Sequence, residues 1–222
     1  MRMLYIDGVE YTVDNDIATV SGYNEDICCD VLIPDVICGS IRVVGVEDKA
    51  FSKCQLITSV SLPFGVKYIG ANAFSWCNLL KKVTLSGVRD IGDRAFMGCQ
   101  RLGDIRFSSQ LEVVCDKAFA YCTSLVAIRF PEGLEYMGES VFEGCRHLKY
   151  VYIPHNIDVI KNGTFYSCSS LCEVELPDSL RFVDEYSFAY CTSLTLPEIP
   201  MGAVINNNAF YECGAIKVGC IA

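Results

Sequence analysis

Ala118-Phe119-Ala120-Tyr121-Cys122-Thr123-Ser124-Leu125 decides the fold, because its skeleton, a Phe, a Cys three residues on and Leu or Ile three further, returns eight times. The Phe positions are 51, 74, 96, 119, 142, 165, 188 and 210, so neighbours stand 22 or 23 residues apart, and Cys54 to Cys213 follow in lockstep. A fixed period of that length is the signature of a solenoid, in which each repeat buries its apolar face only by stacking on its neighbours.

Composition agrees. Of 222 residues, 51% are hydrophobic and 20% charged, which provides for a core and argues against disorder. A net charge of -9 with no run of Lys or Arg argues against a phosphate backbone or an anionic membrane as the main partner, so no nucleic acid is expected. No apolar stretch approaches the roughly 20 residues of a transmembrane span. Met1 to Glu10 lacks the apolar region of a secretory signal.

Eight of the 14 cysteines belong to the repeat column; Cys28, Cys29, Cys38, Cys115, Cys172 and Cys220 lie elsewhere. Coils about 4.8 Å apart fall within the Cα range a disulfide tolerates, so column neighbours are able to pair. The better reading is a reduced thiol filling a small apolar slot. A metal site has little to build on, since no Cys-x-x-Cys occurs and the only histidines are His147 and His155. Neither a metal nor another cofactor is expected.

Residues 1–45 lack the repeat Phe and read as an N-terminal cap plus a partial first repeat; 46–222 read as the solenoid. Leu4-Tyr5-Ile6 and Val9 to Val13 alternate around Asp7-Gly8, a two-residue hairpin signal. Ile17 to Val20 is a further strand, and Val31-Leu32-Ile33-Pro34 resembles the strand of a first coil. The six surplus residues between Pro34 and Phe51 point to a bulging loop at Cys38-Gly39-Ser40. From Phe51 onward, each repeat predicts one helical or 3₁₀ turn through Ala-Phe-x-x-Cys, a half-buried strand such as Ile128-Arg129-Phe130, a bend and a second short extended piece equivalent to Val66–Ile69. In the seventh repeat Pro197 stands where an interior Val is expected, which predicts a broken strand. The eighth repeat leaves little sequence before Ala222 for a C-terminal cap.

Leu125-x-x-Ile128-x-Phe130 fits the leucine-rich-repeat core pattern. The full period, with Ala-Phe-x-x-Cys-x-x-Leu, a strand ending at Pro and Ile-Gly before the next Ala-Phe, resembles the BspA-like leucine-rich repeats over about residues 31 to 219. The resemblance implies a predominantly β fold, α/β by convention: a right-handed solenoid with parallel strands on one face and short helical turns. It also implies a binding scaffold, often at a microbial cell surface and in some members adhesive to host or matrix proteins. The chain departs from the commoner leucine-rich pattern where an Asn ladder would close the strand, with Gly65, Gln110, Gly133, Asn156 and Ser179 in those places. On localisation the two readings pull apart: free thiols and the missing signal point to a reducing compartment, the resemblance to the outside of the cell.

Alternation sends two columns outward from the strands. One is Ser61, Thr84, Arg106, Arg129, Tyr152 and Glu175; the other is Ser59, Lys82, Asp104, Ala127, Tyr150 and Glu173. Tyr and Arg are the side chains most enriched at interface hot spots, so Lys82, Thr84, Asp104, Arg106, Arg129, Tyr150, Tyr152, Glu173 and Glu175 form the candidate protein-binding face. The bland alternative is ordinary strand solvation with Arg–Glu pairing. Catalysis is not expected: Cys145 is a column member, and its neighbour His147 lies only two residues away, a spacing that does not normally bring side chains together. Two functions follow: a protein-interaction scaffold or adhesin using the strand face, or a structural solenoid segment that associates end to end.

Overall fold

The shape of each coil is set at the turn. The residues two before and two after the column Phe adopt left-handed backbone in coil after coil, as at Lys117 (φ 57°) and Tyr121 (φ 60°) around Phe119. A helix needs consecutive right-handed residues, so the Ala-Phe-x-x-Cys segment cannot wind into one. The expected helical turns are therefore corrected: in the computed structural model, which describes residues 1–195 and 197–214, no helix occurs among the described residues.

What forms instead uses alternate backbone groups in two ways. The N–H groups of Ala118, Ala120 and Cys122 close turns on the carbonyls of Cys115, Lys117 and Phe119, at 3.3, 3.1 and 3.2 Å. Those of Lys117, Phe119 and Tyr121 reach across to Glu139, Val141 and Glu143 of the next coil, at 2.9, 3.0 and 2.6 Å. A bond from the column Phe to the next coil recurs at every junction from Phe51→Ala73 (2.7 Å) to Phe188→Ala209 (2.8 Å). The turns therefore form a continuous spine along the solenoid, and their backbone groups are satisfied without helical bonds.

The strands are β1 (Arg2–Ile6), β2 (Val9–Asp14), β3 (Ile17–Tyr23), β4 (Asp30–Leu32), β5 (Val36–Ile37) and β6 (Ile41–Val46). Each later coil adds a longer and a shorter one: β7 (Ser59–Leu62) and β8 (Tyr68–Ile69), β9 (Lys82–Leu85) and β10 (Asp90–Ile91), β11 (Asp104–Arg106) and β12 (Val113–Val114). The series continues with β13 (Ala127–Arg129) and β14 (Tyr136–Met137), β15 (Tyr150–Tyr152) and β16 (Val159–Ile160), β17 (Glu173–Glu175) and β18 (Phe182–Val183), and ends at β19 (Val204–Ile205). Strands thus line two sides of the coil. The expected second extended piece is the shorter series.

Neither side is one unbroken sheet. The long strands pair in parallel as β4-β7-β9-β11 and, separately, β13-β15-β17; the short ones run β6-β8-β10-β12-β14 and, separately, β16-β18-β19. The first break follows a change of side chain. Leu62 and Leu85 occupy the inner end of β7 and β9, whereas the next two coils carry Phe107 and Phe130, whose rings meet at 5.2 Å with a 34° tilt. In the seventh coil, Thr195 and Pro197–Pro200 form no strand, as Pro197 predicts. The end of the eighth coil, any C-terminal cap and Cys220 lie outside the described residues.

The core is a column of rings. Phe51, Phe74, Phe96, Phe119, Phe142, Phe165 and Phe188 are fully buried. Successive centroids lie 5.0 to 5.9 Å apart with planes within 17°, the offset-stacked arrangement aromatic pairs favour. Beside it runs a column of thiols. Cys122 donates its S–H to Phe96 O and Cys145 to Phe119 O, both at 3.1 Å, and the same bond recurs from Cys77 to Cys213. A slot read as merely apolar is also a hydrogen-bond ladder.

The N-terminal strands pack onto the first coil. β1 and β2 form the expected hairpin through Asp7 (φ 49°) and Gly8 (φ 79°). Gly8 is doubly required, because a Cβ there would sit 2.3 Å from Ile27 N. β3 lies antiparallel to β2 and parallel to β6, which joins the cap to the short-strand side. Tyr23, at the end of β3, stacks on Phe51 at 5.9 Å and covers the open end of the ring column. The loop around Cys38-Gly39-Ser40 is the tip of a β5–β6 hairpin, with Cys38 and Gly39 both left-handed. No helix among the described residues is long and apolar enough to cross a membrane.

Candidate binding face

The register places the candidate residues side by side within each sheet, and the break in the long-strand side divides them into two groups. Lys82 faces Asp104, and Thr84 faces Arg106. Ala127 faces Tyr150 and then Glu173, while Arg129 faces Tyr152 and then Glu175. No ladder joins Arg106 to Arg129.

In the first group Lys82 Nζ lies 3.3 Å from Asp104 Oδ2, and Arg106 Nε lies 3.9 Å from Asp104 Oδ1. All three side chains are well exposed, and exposed pairs of this kind add at most about 1 kcal/mol. Thr84 is half-buried and has no side-chain hydrogen bond among the described residues. This end of the face is an ordinary solvated strand surface.

The second group is a connected network. The Arg129 guanidinium stands 4.1 Å from the centre of the Tyr152 ring, and its Nη1 donates to Tyr150 Oη at 3.3 Å. Tyr150 donates to Glu175 Oε1 at 2.5 Å; Tyr152 donates to Glu132 Oε1 at 2.6 Å. His155 Nδ1 lies 3.2 Å from Glu132 Oε2. The hydrogen bond to Glu175, with burial second, raises the Tyr150 hydroxyl above its ordinary pKa, and the bond to Glu132 does the same for Tyr152. Conversely, the Tyr152 hydroxyl holds Glu132 below the usual carboxylate value. Glu173 is exposed at the edge of the group.

Grooves flank this network on both sides. Towards the third coil, where the sheet breaks, a cleft of about 430 Å³ is lined by Ile105, Phe107, Arg129, Phe130 and Glu132 among others. Towards the seventh, where no strand among the described residues follows β17 in its sheet, a groove of about 520 Å³ runs past Tyr152, His155, Glu173, Glu175, Asp178 and Glu198. The middle of the face is thus a polar and aromatic ridge between a partly apolar cleft and an acidic groove. Sequence reading missed Glu132 and His155 because both lie in the bends after Pro131 and Pro154, beyond the reach of strand alternation. Their only sequence signal is equivalence: they fall one coil apart in the period.

Cys145 and His147 are not brought together chemically. The buried Cys145 thiol bonds to Phe119 O, and burial pushes its pKa up to about 12. His147 Nδ1 lies 2.6 Å from Thr123 O instead.

The model of the BspA type leucine rich repeat region matches residues 44–156 and 89–217, with six copies. A leucine rich repeat protein of T. pallidum is similar in structure and sequence: TM-score 0.79, 30% identity, covering 87% of this chain and 91% of that one. A leucine rich cell surface protein of Faecalibacterium prausnitzii A2-165 has 22% identity over 95% of this chain and 86% of that one, with TM-score 0.45. A leucine-rich repeat protein of Bacteroides capillosus has 24% identity over 68% of this chain and 96% of that one, with TM-score 0.47. No curated protein matches the chain.

Proposed function

We propose that this chain, which belongs to the BspA-type leucine-rich repeat family, is a non-enzymatic binding module that receives a protein partner on the Arg129–Tyr150–Tyr152 ridge of its long-strand side. Leucine-rich repeat proteins generally mediate protein–protein interaction or adhesion, and the fold alone does not choose a surface. The observation that carries the choice is the pre-ordering of the ridge. Arg129 is held by both tyrosines while Glu175 and Glu132 hold the tyrosines in turn, so docking onto it immobilises few side chains that were free before. The three central residues are also of the types that dominate interface energetics. Lys82, Thr84, Asp104 and Arg106 then belong to the rim, and Glu173 and Glu175 to its acidic side.

The test compares the immobilised wild type with Arg129→Ala/Tyr152→Ala for capture of proteins from extracts, followed by affinity measurement on whatever is retained. A partner held by the wild type should lose at least ~10-fold in affinity with the double variant. Equal retention of the same proteins by both would move the function off this ridge.

A further inference from the structure

A second surface, on the turn side, departs from the repeat in a way the fold does not need. The position two after the column Phe is left-handed in every coil and holds Gly98 and Gly144 in two of them, so glycine suffices there; coils seven and eight hold Tyr190 (φ 61°) and Glu212. Two residues before Phe188 stands Tyr186 (φ 54°), where the preceding coil has Gly163. The position just after the Phe carries Ser52, Ala120 and Glu143 in earlier coils and becomes Tyr166 and Tyr211. Large side chains at left-handed positions are disfavoured, so Tyr186 and Tyr190 sit against the local preference of the backbone.

Earlier aromatics at the same position have a packing role. Trp76 lies over Gly98 and Tyr121 over Gly144, close enough that a Cβ on either glycine would meet the ring at 2.5 and 2.6 Å. Tyr190 has no such glycine beneath it. It meets Tyr166 and Tyr211 edge to face at 5.3 and 5.6 Å, and Tyr186 meets Tyr211 at 6.5 Å. Tyr186, Tyr190 and Tyr211 are 36 to 47% exposed. With Asn208 the four rings line an open recess of about 480 Å³.

Three rings elsewhere on this chain carry a cation of the chain itself: Lys67 over Phe64 at 4.0 Å, Arg129 over Tyr152 at 4.1 Å and Lys161 over Tyr136 at 3.8 Å. Among the described residues, no Lys or Arg lies over any of the four clustered tyrosines. Two acidic groups lie beside the cluster: Glu185 accepts from Asn208 Nδ2 at 3.1 Å, and Glu212 bears electrostatically on Tyr190.

We propose that this tyrosine cluster is a binding site for a lysine side chain presented by an extended segment of a partner protein. The ammonium group would lie against the electron-rich ring faces within the field of Glu185 and Glu212, as cation–π attraction requires. The cluster spans three coils, about 10 Å along the axis, which matches roughly three residues of extended chain. It lies on a different side from the Arg129 ridge and stands independently of that reading.

The test titrates acetyl-Gly-Lys-Gly-amide, its trimethyllysine form and its norleucine form into the full chain, following tyrosine ring resonances assigned with Tyr→Phe variants. Saturable shifts of the Tyr190 and Tyr211 rings are expected with both cationic peptides and not with norleucine. Tyr190→Phe/Tyr211→Phe should keep the response, and Tyr190→Leu/Tyr211→Leu should weaken it at least ~10-fold. Should the leucine variant not fold, the norleucine comparison on the wild type still decides. Equal binding of the norleucine peptide, a neutral oligosaccharide shifting these rings where lysine does not, or no ring response to any peptide would each overturn the proposal.

Discussion

Cys145 illustrates how one residue of the repeat serves two neighbours at once. Phe119 O accepts the Cys122 N–H from its own turn at 3.2 Å and the Cys145 thiol from the next coil at 3.1 Å, so both lone pairs of the carbonyl are used. Burial raises the thiol to about 12, which leaves on the order of one thiolate in 10⁴ at pH 8, and the thiolate is the reactive form. Native-state alkylation at pH 8 should therefore modify the exposed Cys28, Cys29, Cys38 and Cys172 first. Buried Cys122, Cys145 and Cys168 should react only after denaturant is added. Modification of the column at the rate of Cys28 would contradict the ladder. The period alone made the column and its burial legible. It did not reveal the thiol donor, because the acceptor belongs to another coil and its position depends on how far one coil is offset from the next.

The same dependence appears among the elements. Alternation correctly named the outward positions of each long strand, since side-chain direction is a local property of a strand. It placed Arg106, Arg129 and Tyr152 in one line, whereas the sheet stops between the first two. The break coincides with the exchange of Leu62 and Leu85 for Phe107 and Phe130, and where a sheet stops depends on packing, beyond what a pattern reports. Hydrogen exchange can read the break directly. Tyr150 N–H donates to Val126 O at 3.4 Å, and Tyr152 belongs to the same three-strand ladder. Ala127 and Arg129 have no strand on their outer side, so their amides should exchange faster than those of Tyr150 and Tyr152. The spine amides of Phe96 and Phe119, which cross the same region at 2.8 and 3.0 Å, should be among the slowest. Equal protection of Arg129 and Tyr152 would mean that the long-strand sheet is continuous. The helical turns failed as an expectation for a related reason: nothing in Ala-Phe-x-x-Cys announces that Lys117 and Tyr121 take left-handed φ, and only the bonds to the neighbouring coil make that conformation worthwhile.

At the scale of the molecule, the ring column, the thiol ladder and the turn spine run together through the junctions where one or other strand sheet breaks. Coil-to-coil cohesion therefore lies with the conspicuous residues, and the irregular outward columns are free to vary. In a solenoid each coil rests only on its neighbours, so damage to the column is felt as a loss of junction energy. Tyr23 extends the ring column into the cap, a continuity hidden from sequence because Tyr23 lies outside the period. The direct test is equilibrium denaturant unfolding of Phe119→Ala beside Arg129→Ala/Tyr152→Ala, monitored by far-UV circular dichroism. Phe119 is fully buried between the rings of Phe96 and Phe142, and its truncation should cost about 3–5 kcal/mol. The double variant touches only surface contacts and should cost no more than about 1 kcal/mol. The reverse order, or a loss well under about 1 kcal/mol for Phe119→Ala, would show that the strand face and not the turn column holds the coils together.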